Sequence, residues 1–163
     1  MDPVQPGEQF LTLFQQMGAT IPEAVSEDEF SAVRSLIKER VEYDSAGFID
    51  GFLRHVLRRE KYDARGFIVH SVQQFLACQR TGALASQPTD CPLFEFAYWD
   101  GETGGDCWCV DFGTDAIRCI QAGFGDAPLQ DVRAESYGVF KDAEWFVIFL
   151  AGIAQRNDWL TKS

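Results

Sequence analysis

The sequence predicts an α+β fold, with N-terminal helices packed with an antiparallel meander sheet and a closing C-terminal helix. Three observations predict it: capped segments with helical apolar spacing come first, alternating strands joined by glycine-rich turns follow, and a strongly apolar helical stretch comes last. In the opening helix, residues 8–17, Phe10, Leu11, Phe14 and Met17 mark one face and Gly18 is the stop. Ser26 and Glu29 form a capping box for a second helix, whose apolar face is Phe30, Val33, Ile37 and Val41 and whose end is near Glu42. Asp44 or Ser45 caps a third helix, which buries Phe48, Ile49, Phe52, Leu53, Val56 and Leu57 and turns Arg54, Arg58 and Arg59 to water.

After Gly66 the period changes. Residues 67–70 form a short β-type run, and Ser71 with Gln74 repeats the capping logic ahead of Val72, Phe75 and Leu76. Residues 93–99, 107–112 and 116–122 alternate as three strands, joined by Asp100-Gly101 with Gly104-Gly105 and by Gly113-Thr114-Asp115. Residues 137–140 add an edge strand. Asp142 caps the last helix, in which Trp145, Phe146, Ile148, Phe149, Leu150 and Ile153 are apolar nearly all round, so most of its surface must be covered. The expected organisation is a single domain over residues 1–163, flexible over 1–7, mainly helical over 8–65 and carrying the sheet over 66–157.

Of the 163 residues, 46% are hydrophobic and 24% charged, enough apolar material for one sizeable core. The apolar run over residues 145–154 is too short to cross a bilayer, and no basic-then-apolar leader opens the chain, so a cytoplasmic protein without membrane contact is expected. A net charge of −11 opposes binding to a nucleic-acid backbone and favours a basic protein as partner. Five cysteines, Cys78, Cys91, Cys107, Cys109 and Cys119, are an odd number, which favours a reducing compartment. Cys107 and Cys109 flank Trp108 at a spacing that puts both thiols on one face of a strand; it is neither a zinc-knuckle nor a CxxC spacing, and small core residues are expected.

The sequence lacks the HExxH, Walker A, strand-borne GxGxxG and GxSxG motifs. His55 sits beside Arg54 on the third helix, and His70 stands where a strand gives way to a helix, a place where functional side chains occur. Residues 100–106 gather Asp100, Glu102 and Asp106 among three glycines, but not at EF-hand positions, so a solvated turn is expected rather than a metal site. Glu95, Asp100 and Asp111 could be nominated as a carboxylate pair for glycoside hydrolysis, without a separation to decide it. Residues 54–65 are basic, whereas residues 91–144 hold eleven acids against Arg118, Arg133 and Lys141. Trp99 and Trp108 bracket the acidic turn, where each is either an interface anchor or a core residue.

The run Phe94-Glu95-Phe96-Ala97-Tyr98-Trp99-Asp100-Gly101, then Gly105-Asp106-Cys107-Trp108-Cys109-Val110-Asp111, then Ala116-Ile117-Arg118-Cys119-Ile120 resembles the SUKH superfamily. Members of that family carry an apolar strand, a glycine-rich turn, a Gly-Asp-aromatic strand ending in Asp and a following strand. The aromatic-rich link and helix from Val139 through Leu150 are similar as well, so the resemblance covers residues 92–153. It implies a noncatalytic α+β protein, often a bacterial immunity protein that binds and blocks a cognate toxin such as a nuclease or deaminase.

The expected function is therefore that of an immunity protein whose contact patch is Trp99, Asp100, Glu102, Asp106, Trp108 and Asp111, with no catalytic residue, metal or cofactor. Its partner is a cognate protein toxin. A secretion chaperone holding a secreted effector is the second reading, and an enzyme built on His70 with Asp111 the third.

Overall fold

A computed structural model describes residues 6–42, 48–64, 66–81, 92–99, 106–121 and 134–156. The first helix, α1 (Pro6–Gln16), starts two residues before the predicted position, so residues 6 and 7 are helical and buried rather than loose; residues 1–5 lie outside the described chain. It ends as Gly18 turns left-handed at φ +90°, with the Gly18 N–H donating to Gln15 O and the Ala19 N–H to Phe14 O, both at 3.0 Å. The capping box predicted for α2 (Glu27–Arg40) is present: the Glu29 N–H donates to Ser26 Oγ at 3.1 Å and the Ser26 N–H to Glu29 Oε1 at 2.9 Å. The α3 helix (Phe48–Val56) buries Ile49, Phe52, Leu53 and Val56, while Phe48 is exposed and the predicted caps Asp44 and Ser45 lie outside the described residues.

A hairpin follows, β1 (Tyr62–Ala64) and β2 (Phe67–Val69), and the first of these strands was not predicted. The chain then turns into α4 (Val72–Thr81). The remaining strands are β3 (Leu93–Trp99), β4 (Asp106–Asp111), β5 (Ala116–Gln121) and β6 (Ala134–Phe140), and α5 (Ala143–Arg156) closes the order. All six strands pair antiparallel with their sequence neighbours, in the order β1-β2-β3-β4-β5-β6, and the α+β class read from the sequence is the one observed.

The main core lies between the helices and one face of the sheet. Phe146 on α5 packs against Phe10 of α1, Phe52 of α3 and Phe67, Phe96 and Trp108 of the strands, with ring centroids 5.2 to 6.5 Å apart. Gly7 is required where α1 meets α3, because a Cβ there would lie 2.4 Å from His55 Cβ and 3.0 Å from Phe52 O. The opposite face carries Glu95, Cys109 and Arg118 side by side across three strands, with Cys107 and Asp111 two residues either side of Cys109.

Beside β3 the short β2 gives out, and α4 takes its place along the strand. The His70 N–H still donates to Phe96 O at 3.0 Å, continuing the ladder by one bond. The next carbonyl, that of Glu95, accepts from Gln79 Nε2 at 3.3 Å, with Cys78 Sγ 3.6 Å away. Side chains of α4 thus satisfy an edge that would otherwise be bare.

Candidate functional site

Where β2, α4 and β3 meet, three side chains with chemistry converge. His70 directly follows β2, Glu95 points from β3 to the face opposite the Phe94 and Phe96 side chains, and Cys78 reaches in from α4 one turn after Phe75, which anchors that helix on Phe94 at 6.4 Å. His70 Nε2 lies 2.5 Å from Glu95 Oε2. One donor atom from each of His70, Cys78 and Glu95 falls within 4.8 Å of the other two, and all three residues are buried, at 6%, 3% and 9% exposure. Tyr98 lies against the imidazole, ring centroids 5.2 Å apart.

Burial pushes the Cys78 thiol up to about 12, the Glu95 carboxylate adding to the effect. Cys109 is also held well above the usual thiol range, by its hydrogen bond with Cys107 at 3.9 Å and by burial. These thiols are protonated at neutral pH and are not nucleophiles in that state. Gln79 lies beside Cys78, 1% exposed; its Nε2 donates to Phe75 O at 2.8 Å while its Oε1 has no hydrogen-bond partner among the described residues.

Two members of the predicted contact patch are not at the surface. Trp108 is 6% exposed, its indole against Phe67, Phe146 and Phe149, because its alternation on β4 points it into the core. Asp111 is 2% exposed and spent on structure: Oδ1 accepts from the Gly113 N–H at 2.9 Å and Oδ2 from Arg118 Nη1 at 3.0 Å. Trp99 closes β3 and Asp106 opens β4, placing both at the ends of the connection that carries Asp100 and Glu102; those two lie outside the described residues. The carboxylate that meets His70 is Glu95, not Asp111.

Two cations of the basic segment are paired at the start of α2. Arg54 pairs with Glu27 at 2.5 Å, and Arg59 reaches both Glu23 and Glu29 at 3.3 Å. Arg54 is on α3 as expected, but that helix ends at Val56, so Arg58 and Arg59 lie beyond it rather than on its wet side. On α5 the burial is uneven: Phe146, Val147 and Leu150 face the core, whereas Trp145 and Ile148, one helical turn apart, are 62% and 49% exposed. The expectation that most of this helix's surface is covered does not hold on that side. No helix among the described residues is long and apolar enough to cross a membrane.

The His70–Cys78–Glu95 group leaves no sign in the spacing of its residues, since its members stand 8 and 17 positions apart in the chain. The exposed pair on α5 did leave a sign, an apolar helix with more large side chains than one face can bury. Compared with known proteins, the chain matches no family model, no curated protein and no solved structure.

Proposed function

We propose that the chain is a noncatalytic binding protein of the SUKH type, an immunity protein that docks on a cationic toxin and occludes its active site or substrate channel. The observation that carries this reading is the exposed pair Trp145 and Ile148 on α5, at 62% and 49% exposure. Large apolar side chains exposed at helical spacing are the composition of an interface centre, and tryptophan is the residue most enriched there. Covering each is worth roughly 1.5–3 kcal/mol in apolar burial.

Charge selects the occupant. At −11 the chain attracts cations at long range and repels nucleic acid, and a toxin acting on a phosphate backbone must itself be cationic. Steering by the acidic surface speeds and orients encounter, and burial of the aromatic anchor slows dissociation. In this reading Trp99, Asp100, Glu102 and Asp106 supply charge and contact at the β3–β4 connection, and Trp108 and Asp111 hold the strand that carries Asp106.

The test is co-expression with a panel of cationic nuclease and deaminase toxin domains, with growth as the readout and complex formation checked by gel filtration. Rescue by the native chain, lost in a Trp145→Ala, Ile148→Ala double variant that remains folded, supports the proposal. Rescue that survives the double variant overturns the docking face. Absence of rescue across the panel, or stable capture of a secreted effector without protection, overturns the immunity function, the latter in favour of a chaperone.

A further inference from the structure

We propose that His70, Cys78 and Glu95 bind one divalent ion of the zinc class, with the imidazole nitrogen, the sulfur and a carboxylate oxygen as ligands and a water in the fourth position, the Cys78 thiol giving up its proton to solvent as the metal–sulfur bond forms. The three donors are the three types that zinc accepts, they come from the turn after β2, from α4 and from β3, and they lie within 4.8 Å of one another. Around a tetrahedral ion with bonds of about 2.0–2.3 Å, ligand atoms sit roughly 3.3–3.7 Å apart. The His70–Glu95 contact of 2.5 Å must therefore open and the widest separation must close, each by about 1 Å. Side-chain torsions suffice, because the backbones that carry the donors are already tied together through His70 N to Phe96 O and Gln79 Nε2 to Glu95 O.

A buried His–Glu pair accounts for two of these residues by itself. It does not bring a third donor of another type within 4.8 Å of them, as the Cys78 thiol is brought, and the Gln79 amide beside that thiol keeps one oxygen without a partner among the described residues. The Gln79 amide nitrogen lies 3.4 Å from Cys78 Sγ and 3.3 Å from Glu95 O, so this amide lines the cluster on the Cys78 side. Its orientation is fixed, since turning the amide over would set that oxygen against the carbonyls of Phe75 and Glu95. The site keeps a path to solvent as well, the His70 and Glu95 side chains being 8% and 11% exposed.

The experiment is titration of the reduced, metal-free full chain with Co²⁺ and then Zn²⁺. The expected result is binding of roughly one equivalent of Co²⁺, a thiolate-to-cobalt charge-transfer band, and displacement of the cobalt by zinc. Cys78→Ser should abolish the band and, with Glu95→Gln, weaken zinc binding by about 100-fold or more. X-ray absorption on the zinc-loaded native chain needs no variant and should report one sulfur neighbour, the rest being nitrogen or oxygen. No stoichiometric binding overturns the site. So does a band that persists in Cys78→Ser, or more than one sulfur neighbour, either of which puts the metal on Cys107 and Cys109 instead.

Discussion

Arg34 grips Asp50 through two parallel hydrogen bonds, Nε to Oδ1 at 3.2 Å and Nη2 to Oδ2 at 2.8 Å, and so ties α2 to α3. Asp50 is 4% exposed, whereas 35% of the Arg34 side chain remains in water. Removing the cation leaves a buried carboxylate that water reaches only in part. Arg34→Ala should cost about 2–3 kcal/mol, and an Arg34→Met, Asp50→Leu double variant should recover most of that loss. Denaturant midpoints of the three proteins are the check; a single variant as stable as the native chain would contradict it.

Asp111 makes a similar argument on the far face of the sheet, with the Gly113 amide and the Arg118 guanidinium both depending on it. Asp111→Ala should lower stability by about 2–3 kcal/mol. Asp111→Asn, which keeps the acceptor for Gly113 and loses the ion pair, should fall between. Thermal melts of the two variants distinguish this structural role from a contact role, which would leave the free protein unchanged.

Adjacent residues on α5 should behave in opposite ways. Trp145→Ser removes a side chain that is 62% exposed and should shift the stability of the free protein by no more than about 0.5 kcal/mol. Phe146→Ala, at 0% exposure in the centre of the aromatic core, should cost about 3–5 kcal/mol. Urea titration of both variants, together with partner affinity for the first, separates docking from folding.

Alkaline pH should destabilise the protein earlier than its surface charges require. Tyr62, buried and donating through its hydroxyl to Val56 O, and Cys109, beside Cys107, both hold their protons above the ordinary values of 10.0 and 9.0. Their pKa values are raised on folding, so their contribution is fully present below about pH 9 and is lost as pH rises, because the unfolded chain releases those protons first. Tyr62→Phe should make the fall in melting temperature above pH 9 shallower. An unchanged slope in that variant would count against Tyr62 as a source.

Local signals in the sequence carried most of the fold. Ser26 and Glu29 announce α2 because a cap is a short-range device, and Asp142 does the same for α5, its Oδ1 accepting from the Glu144 N–H at 2.8 Å. Strand β1 was illegible, since its three residues, Tyr62, Asp63 and Ala64, alternate too briefly to show a period and are paired only by the hairpin with β2. Strand β6 begins three residues before the predicted run, where a register shift between Arg118 and Ile120 of β5 lets Ala134 pair with Ile120. The candidate site was hidden for the same reason in stronger form: His70 meets Glu95 only once β2 and β3 are aligned, and Cys78 joins them only because α4 runs along the strand edge. Trp108 could be placed on either side from its sequence alone, and the sheet sent it inward.

The closure of the core across the chain bears on how it is made. Successive strands of the meander can zip up in the order in which they leave the ribosome, each against the one before. The aromatic core cannot, because Phe10 in the first helix waits for Phe146 in the last, to which it stacks at 6.1 Å. Until α5 emerges, the phenylalanine face, which α1 and α3 already meet at Phe67 and Phe96, lacks the Phe146 ring at its centre, the stage at which a chaperone has most to do.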